Sequence, residues 1–443
     1  MPVLKNVKHT RALDSAGRSH IMKHISLTMD KGSRMILRAY NPAQDYASVQ
    51  RIWLEIGWLQ KGQEAGMDQM LATGDCWVAE VHGAAECLTT TSPGTIRYLT
   101  EDLPFGLVAT VTTSRVARKQ GYAGRVAARA ASELAGQGAL VVGLGIFDQG
   151  YYDQLGFGAM TYEHFFAIDP ARLNVPVKAR PPRRLTEADW EVVHASRLAR
   201  AVGHGFVNHI AAAHTRSAML FGPNGFGLGY FDGPAGELTH HFWGRADNVG
   251  RGPYRIHWMA YQNRAQFLEL MALLKTWDDQ IYQVLLREPS DVQLQDLIQQ
   301  PFRQRWMSDK SAYEMSIHAH AVYQMRICDL AGCLARTHLR GATLRFNLTL
   351  EDPIARFLPL DAPWRGVAGQ YVVALGPHSS AEAGYDASLP SLKASVNAFT
   401  RLWLGVRPAT HLAMTDHLDA PGPLLDQLDQ TLCLPAPKPD WNL

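Results

Sequence analysis

An apolar run, Leu107-Val108-Ala109-Thr110-Val111-Thr112, reads as a strand, and Val126, Ala127, Ala130, Ala131 and Leu134 mark one face of a later helix. Between them stands Arg118-Lys119-Gln120-Gly121-Tyr122-Ala123-Gly124. A basic, glycine-bearing loop at a strand-to-helix junction constrains this chain more than anything else in it. The first turn of a helix presents backbone N–H groups with no partner inside the helix, and the helix dipole makes that end positive. Such an end holds phosphate groups. Gly121 lets a pyrophosphate approach the backbone without a Cβ in the way, and Ala123 and Gly124 are small for the same reason. Arg118 and Lys119 add charge. No Gly-Lys-Ser/Thr follows, so this is not a Walker loop.

The surrounding pattern is mixed. Met35-Ile36-Leu37-Arg38-Ala39-Tyr40 reads as a strand, and Asn41-Pro42 suits a helix start. Tyr46, Val49, Trp53 and Ile56 then fall at helical spacing. Short β-like runs follow at 76–81, 95–99 and 107–112, and Ala139-Leu140-Val141-Val142-Gly143-Leu144 reads as a buried strand behind the loop's helix. That order gives an α+β (or α/β) class with the loop at a strand-to-helix junction. Pro176 and Pro181-Pro182-Arg183-Arg184 mark a linker. Beyond it, Thr186 and Asp189 can cap a helix, and 255–261, 263–274 and 280–287 repeat strand, helix, strand. The repeated junction, Gln262-Asn263-Arg264-Ala265, has no glycine. A second copy of the fold that has lost its phosphate loop is expected. In the last third, Leu344, Phe346, Leu348 and Leu350 alternate with polar residues as a half-buried strand, 371–375 can pair with it, and Val396, Phe399, Leu402 and Trp403 fit a helix. The last nine residues carry Pro435, Pro437 and Pro439 and then Trp441 and Leu443, an extended tail with apolar residues fit to dock.

Two stretches of the first part resemble a known family. Val111-Thr112-Thr113 followed by Arg118-x-x-Gly121-x-Ala123 resembles the signature motif of the GNAT superfamily of N-acetyltransferases. Gly150-Tyr151-Tyr152-Asp153-Gln154-Leu155-Gly156-Phe157 resembles the family's Phe-Tyr-x-x-x-Gly-Phe stretch. The resemblance implies acetyl-CoA held by Val111, Thr112, Thr113, Arg118, Lys119, Gln120, Gly121, Tyr122, Ala123 and Gly124, with Phe147 and Asp148 as further contacts. It implies Tyr152, with Tyr151 as the fallback, as the donor of a proton to the leaving thiolate. Met325-Arg326-Ile327-Cys328-Asp329-Leu330, Ala362-Pro363-Trp364 and the segment ending Arg401-Leu402-Trp403-Leu404-Gly405 narrow the resemblance to the Eis-like, enhanced-intracellular-survival group. Its members place a sterol-carrier-like domain after two acetyltransferase-like ones. The implied layout is an extension at 1–34, a catalytic GNAT domain at 35–175, a degenerate one at 176–318 and a sterol-carrier-like domain at 319–443. In that group the C-terminal carboxylate enters the active site as the base, and the matching residue is Leu443. The resemblance further implies a small cationic acceptor amine (aminoglycoside, polyamine or lysine-like) and a homo-oligomer, a hexamer.

Composition sets outer limits. At roughly 100–200 residues per domain, 443 residues make two to four domains. With 43 basic and 41 acidic residues there is no excess charge for nucleic acid, and none is expected as a partner. Five cysteines without a Cys-x-x-Cys pair suggest neither a disulfide framework nor a zinc site. His240-His241 and His318-x-His320 lack acidic or cysteine partners at ligand spacing, so no metal is expected. No run of about 18 apolar residues suggests a membrane span, and 1–34 lack a secretory apolar stretch, so a cytoplasmic location is expected. Trp53, Trp58 and Trp77 are candidates to line a cavity, and Glu55, Glu64, Asp68, Glu101 and Asp102 to attract an amine. Two other readings stand beside the small-amine acetyltransferase: an acetyl-CoA-sensing protein whose third domain holds a lipid, and a protein-lysine acetyltransferase.

Overall fold

The computed structural model describes residues 35–442, so the expected extension at 1–34 and Leu443 lie outside the described residues. Helix Pro42–Ile56 forms where expected: the Asn41 side chain accepts the Ala43 N–H, Pro42 sits where its missing N–H costs nothing, and Gly57 ends the helix at φ 79°. Its buried face is Val49, Ile52 and Trp53. Asp45, on the same face, is satisfied by two bonds from Arg38, at 2.7 and 2.8 Å.

The described strands form three sheets. The first contains β1 (Ile36–Ala39), β2 (Cys76–Val81), β3 (Ala84–Tyr98), β4 (Glu101–Thr113), β5 (Val141–Gly145) and β6 (Gly158–Ala159). The runs expected at 95–99 and 107–112 belong to the long hairpin β3–β4. β4 and β5 are parallel and are joined by helix Tyr122–Gly136, which buries Val126, Ala127, Ala130, Ala131 and Leu134 against them. The second sheet runs β14-β7-β13-β12-β11-β10-β8, with β7 (Glu163–Ile168), β8 (Arg183–Leu185), β10 (Gly225–Tyr230), β11 (His240–Ala246), β12 (Tyr254–Ala260), β13 (Val284–Arg287) and β14 (Ser316–His320). Here too the parallel pair, β12 and β13, is joined by a helix, Arg264–Lys275.

Sheet membership does not follow the cuts at 175/176 and 318/319. β7 lies in the second sheet, between β13 and β14. β15 (Tyr323–Ile327) lies in the first, between β5 and β6, and β9 (Val207–His209) extends the first sheet along β3. The physical reason is burial: all five residues of β15 are buried, and such a strand is stable only with ladders on both sides.

The third sheet runs β18-β17-β16-β19-β20, comprising β16 (Leu344–Glu351), β17 (Gly369–Leu375), β18 (Ser380–Ala383), β19 (Ser391–Ser395) and β20 (Leu418–Asp419). Its inner face is filled by Phe346, Leu348, Val373 and Leu392 in one continuous core with Phe105 and Met325 of the first sheet. Trp403 stacks on Tyr98 with centroids 4.4 Å apart, and the Tyr98 hydroxyl donates to the Trp403 carbonyl. A buried ion pair, Arg326 Nη2 to Asp352 Oδ2 at 2.5 Å, crosses the same junction. Arg326 also donates to the Leu155 carbonyl, and the Val367 N–H donates to Asp352. Arg326→Met leaves a buried carboxylate without its counter-charge, so urea unfolding should show a loss of about 3–5 kcal/mol. A loss under about 1 kcal/mol would show that the pair does not secure the junction.

Candidate active site

The parallel ladder between β4 and β5 stops at Leu107 opposite Gly143, although β4 continues to Thr113 and β5 to Gly145. A wedge opens beyond that point. On its β4 side the register against β3 slips: Ala109 faces Thr90 and Thr112 faces Leu88, so Thr110 and Val111 share one partner position. Thr110 has φ 51°, rare for a β-branched residue. Bonds on both sides hold this bulge, from Thr89 Oγ1 to the Ala109 carbonyl and from Thr110 Oγ1 to Thr90 Oγ1, each 2.9 Å. Strained, locked backbone of this kind re-aims peptide groups at functional sites.

The loop follows directly. Lys119 at φ 61° and Gly121 at φ 79° turn the chain, and Gly121 becomes the N-cap of helix Tyr122–Gly136 without any side-chain cap. Among the described residues no acceptor meets the N–H groups of Arg118, Lys119, Gln120, Gly121, Tyr122 or Ala123, while the Gly124 N–H faces the Tyr151 hydroxyl. Arg118, Lys119 and Gln120 are exposed. The Gln120 amide reaches the Val116 carbonyl and accepts from the Tyr122 hydroxyl. A Cβ on Gly121 would meet no protein atom within 4 Å. The result is an open, positive nest of donors beside the wedge. Thr112 Oγ1 and Ser114 Oγ, buried at its base, also lack partners.

Tyr151 and Tyr152 flank this region edge to face, 4.9 Å apart. Tyr152 packs against the same buried cluster as Val111, which includes Leu144, Leu155 and Phe157. Burial raises its pKa, so its hydroxyl stays protonated. The more exposed Tyr151 puts its hydroxyl 3.6 Å from where a Cβ on Gly124 would stand. Phe147 is 87% exposed and meets Trp58 at 5.7 Å, while the Asp148 carboxylate accepts its neighbour Gln149's N–H. Cys87, bonded to Thr113, has its thiol pushed up to about 12 by burial, which leaves no thiolate for nucleophilic work.

The tail is docked. Trp441 is 1% exposed, clasped by the Arg197 guanidinium 3.7 Å from its ring and by His209 edge-on at 5.3 Å. Asp440 pairs with Arg200 at 2.8 Å. The Asn442 carbonyl contacts His209 Nε2, and its side chain accepts from the Tyr323 hydroxyl. His209 sits on β9 opposite Gly94 of β3, and Tyr323 on β15 opposite Gly145 at the end of β5. Through Tyr323, Asn442 reaches the end of β5, where the wedge opens.

No family model and no curated protein matches the sequence, but solved structures match its fold. A conserved protein of Enterococcus faecalis V583 described as a probable N-acyltransferase superposes with TM-score 0.74 at 15% identity, over 93% of this chain and all of that one. A GCN5-related N-acetyltransferase of Anabaena variabilis ATCC 29413 gives 0.72 at 13%, over 93% and 100%. Eis1 of Mycobacterium abscessus gives 0.70 at 16%, over 92% and 100%. This chain has the Eis-like GNAT fold. The likeness is one of fold, and it spans all three sheets.

Within this Eis-like fold the second sheet's equivalent junction is closed. The Asn263 side chain accepts the Gln266 N–H, and the Gln266 side chain accepts the Gln262 N–H. Donors left open in the first copy are occupied in the second. Four of the five carboxylates considered for an amine already have partners: Glu55 with Arg51 and the Arg115 N–H, Glu64 with Gln50, Asp68 with Tyr46 and Asp102 with Arg97; Glu101 stands at the start of β4, at the far end of that strand from the wedge. Trp53 is a core residue, and Arg129 covers the Trp77 ring. His240 does meet acidic groups in space, with Glu269 at 3.1 Å and Asp232 nearby, but Arg180 binds both carboxylates. No helix of the described residues is long and apolar enough to cross a membrane.

Proposed function

We propose that this chain is an N-acetyltransferase that moves an acetyl group from acetyl-CoA to a primary amine. The observation that carries this reading is the row of unpartnered N–H groups over 118–123, set beside the wedge between β4 and β5. The loop would hold the pyrophosphate, with Arg118 and Lys119 adding charge. A backbone N–H in 111–113, next to the Thr110 bulge, would hold the oxyanion that forms as the amine attacks, a role worth about 3 kcal/mol in other enzymes. Tyr152 would protonate the departing thiolate. Leu443 follows an anchored Asn442, which supports the proton-accepting role that the family resemblance gives its carboxylate. The packed inner face of the third sheet favours this reading over lipid carriage.

The test is thiol release from acetyl-CoA against a panel of amines, with Gly121→Val as the control. A valine fits the protein but not an approaching phosphate, and its left-handed backbone costs about 1–2 kcal/mol. The KM for acetyl-CoA should rise at least tenfold. An unchanged KM would remove the loop from coenzyme binding.

A further inference from the structure

A groove of about 670 Å³ runs across the second sheet and ends on the tail. Tyr323 and Asn442 line its inner end, so it opens where β5 leaves the wedge. Its floor is basic. Arg287 of β13 stands at the inner end, bonding the Tyr323 hydroxyl at 2.6 Å. Arg255 of β12 pairs with Leu285, two residues back along β13, and Arg245 of β11 stands opposite Arg255, so their backbones lie roughly 8 and 12 Å from that of Arg287.

Two of the three arginines of this floor share a single carboxylate. Arg245 and Arg255 are direct cross-strand partners, an arrangement of like charges that destabilises a sheet. One carboxylate, Asp247, serves both, at 3.7 and 2.7 Å, and Arg245 Nε is buried without a hydrogen bond. Glu163 lies under Arg287 at 3.8 Å and does not line the groove. Glu314 is the one carboxylate on the groove wall. His257, also on the floor, is held neutral by burial and by these arginines. Three guanidinium groups thus line the groove, with Asp247 and Glu163 pairing with them from outside its lining and Glu314 on its wall.

Resting on the acetyltransferase reading, we infer that the acceptor is a zwitterion: its amine enters the wedge beside Tyr323 and Asn442, and a carboxylate or phosphate several bonds away lies along Arg287, Arg255 and Arg245. The amine must be neutral to attack, whereas the anion keeps its charge, so the groove selects the end of the molecule that does not react. A polycation would meet the same arginines with like charge, and the acidic residues near the first domain's helices are already engaged.

Three acceptors of similar length separate the possibilities: 6-aminohexanoate, hexylamine and 1,5-diaminopentane, assayed by thiol release at low ionic strength. The expected result is a kcat/KM for 6-aminohexanoate at least tenfold above both others, and a fall of that ratio to near one in Arg255→Gln. Preference for the diamine, or a ratio that Arg255→Gln leaves intact, overturns the inference while the transferase reading stands. Calorimetric titration of the same variants with 6-aminohexanoate reads the groove without turnover. Binding that weakens tenfold in Arg255→Gln supports the assignment even where no acceptor turns over, a result that would count against the transferase reading alone. No binding to the wild-type protein overturns it.

Discussion

Tyr152→Phe should lower kcat by about 100-fold or more while leaving the KM for acetyl-CoA within a few-fold. The expectation follows from where the hydroxyl sits. Among the described residues it has no hydrogen-bond partner, although the ring packs tightly against Phe157 and the cluster shared with Val111. Burial holds the proton on, so the group can donate toward a thiolate as charge develops there. Removing one oxygen leaves the packing intact and takes away only that donor. Tyr151→Phe is the matched control. Its hydroxyl lies against the helix start at Gly124, so its loss should raise the KM for acetyl-CoA and spare kcat. Should Tyr151→Phe carry the kcat loss instead, the acid is Tyr151 and Tyr152 is a packing residue.

Features set by neighbours along the chain are legible in the residues themselves. Asn41-Pro42 starts a helix because a side-chain acceptor and a proline are local devices, and both work as expected. The same holds for Thr186 and Asp189, which form a reciprocal cap, and for strand β2 over 76–81. The loop at 118–124 is legible because its chemistry lies in residue types that follow one another. Features made by distant pairing are not. Tyr323-Gln324-Met325-Arg326 falls at the start of the domain expected at 319–443, yet it completes the first sheet, since nothing in five buried residues states which edge they will join. β9 is three residues long, and its transfer to β3 places His209 beside the tail without any periodic signal. The Thr110 bulge is likewise invisible, because a threonine does not announce a positive φ. For the tail, prolines and a terminal aromatic foretell docking, while the seat of Trp441 among Arg197, Arg200 and His209 depends on three separate elements.

That seat makes the protein acid-labile, and the effect should be large. His209 and His241 are fully buried and His214 nearly so. Burial is the main reason each stays neutral, with the buried Arg197 guanidinium adding to it; His214 and His241 are pushed down to about 3, and His209 well below its ordinary range. Geometry agrees. The His209 and His214 rings stack at 4.3 Å, and both Nδ1 atoms lack partners that could share a second proton. His241 accepts at Nε2 from the Trp258 indole N–H.

The sign follows from linkage. In the unfolded chain these histidines take up a proton near pH 6.5, and in the folded chain they do not, so their contribution is complete above 6.5 and is lost as pH falls toward 3. Each should cost about 1.4 kcal/mol per pH unit below 6.5. Three together should remove about 6 kcal/mol between pH 7.5 and 5, comparable with the whole stability of many domains. Carboxylates held low by partners, such as Glu269 at about 2 beside Arg180, lose their contribution only below about 4.5 and leave this window clear. Urea midpoints at pH 7.5, 6.5 and 5.5 would show the slope, and His214→Gln with His241→Gln should reduce it by about 2.7 kcal/mol per pH unit. A midpoint flat across that range would mean these imidazoles can take up protons inside the folded protein. Because His209 touches both Trp441 and Asn442, acid should free the tail first, and acetyl transfer should fail at a higher pH than global unfolding.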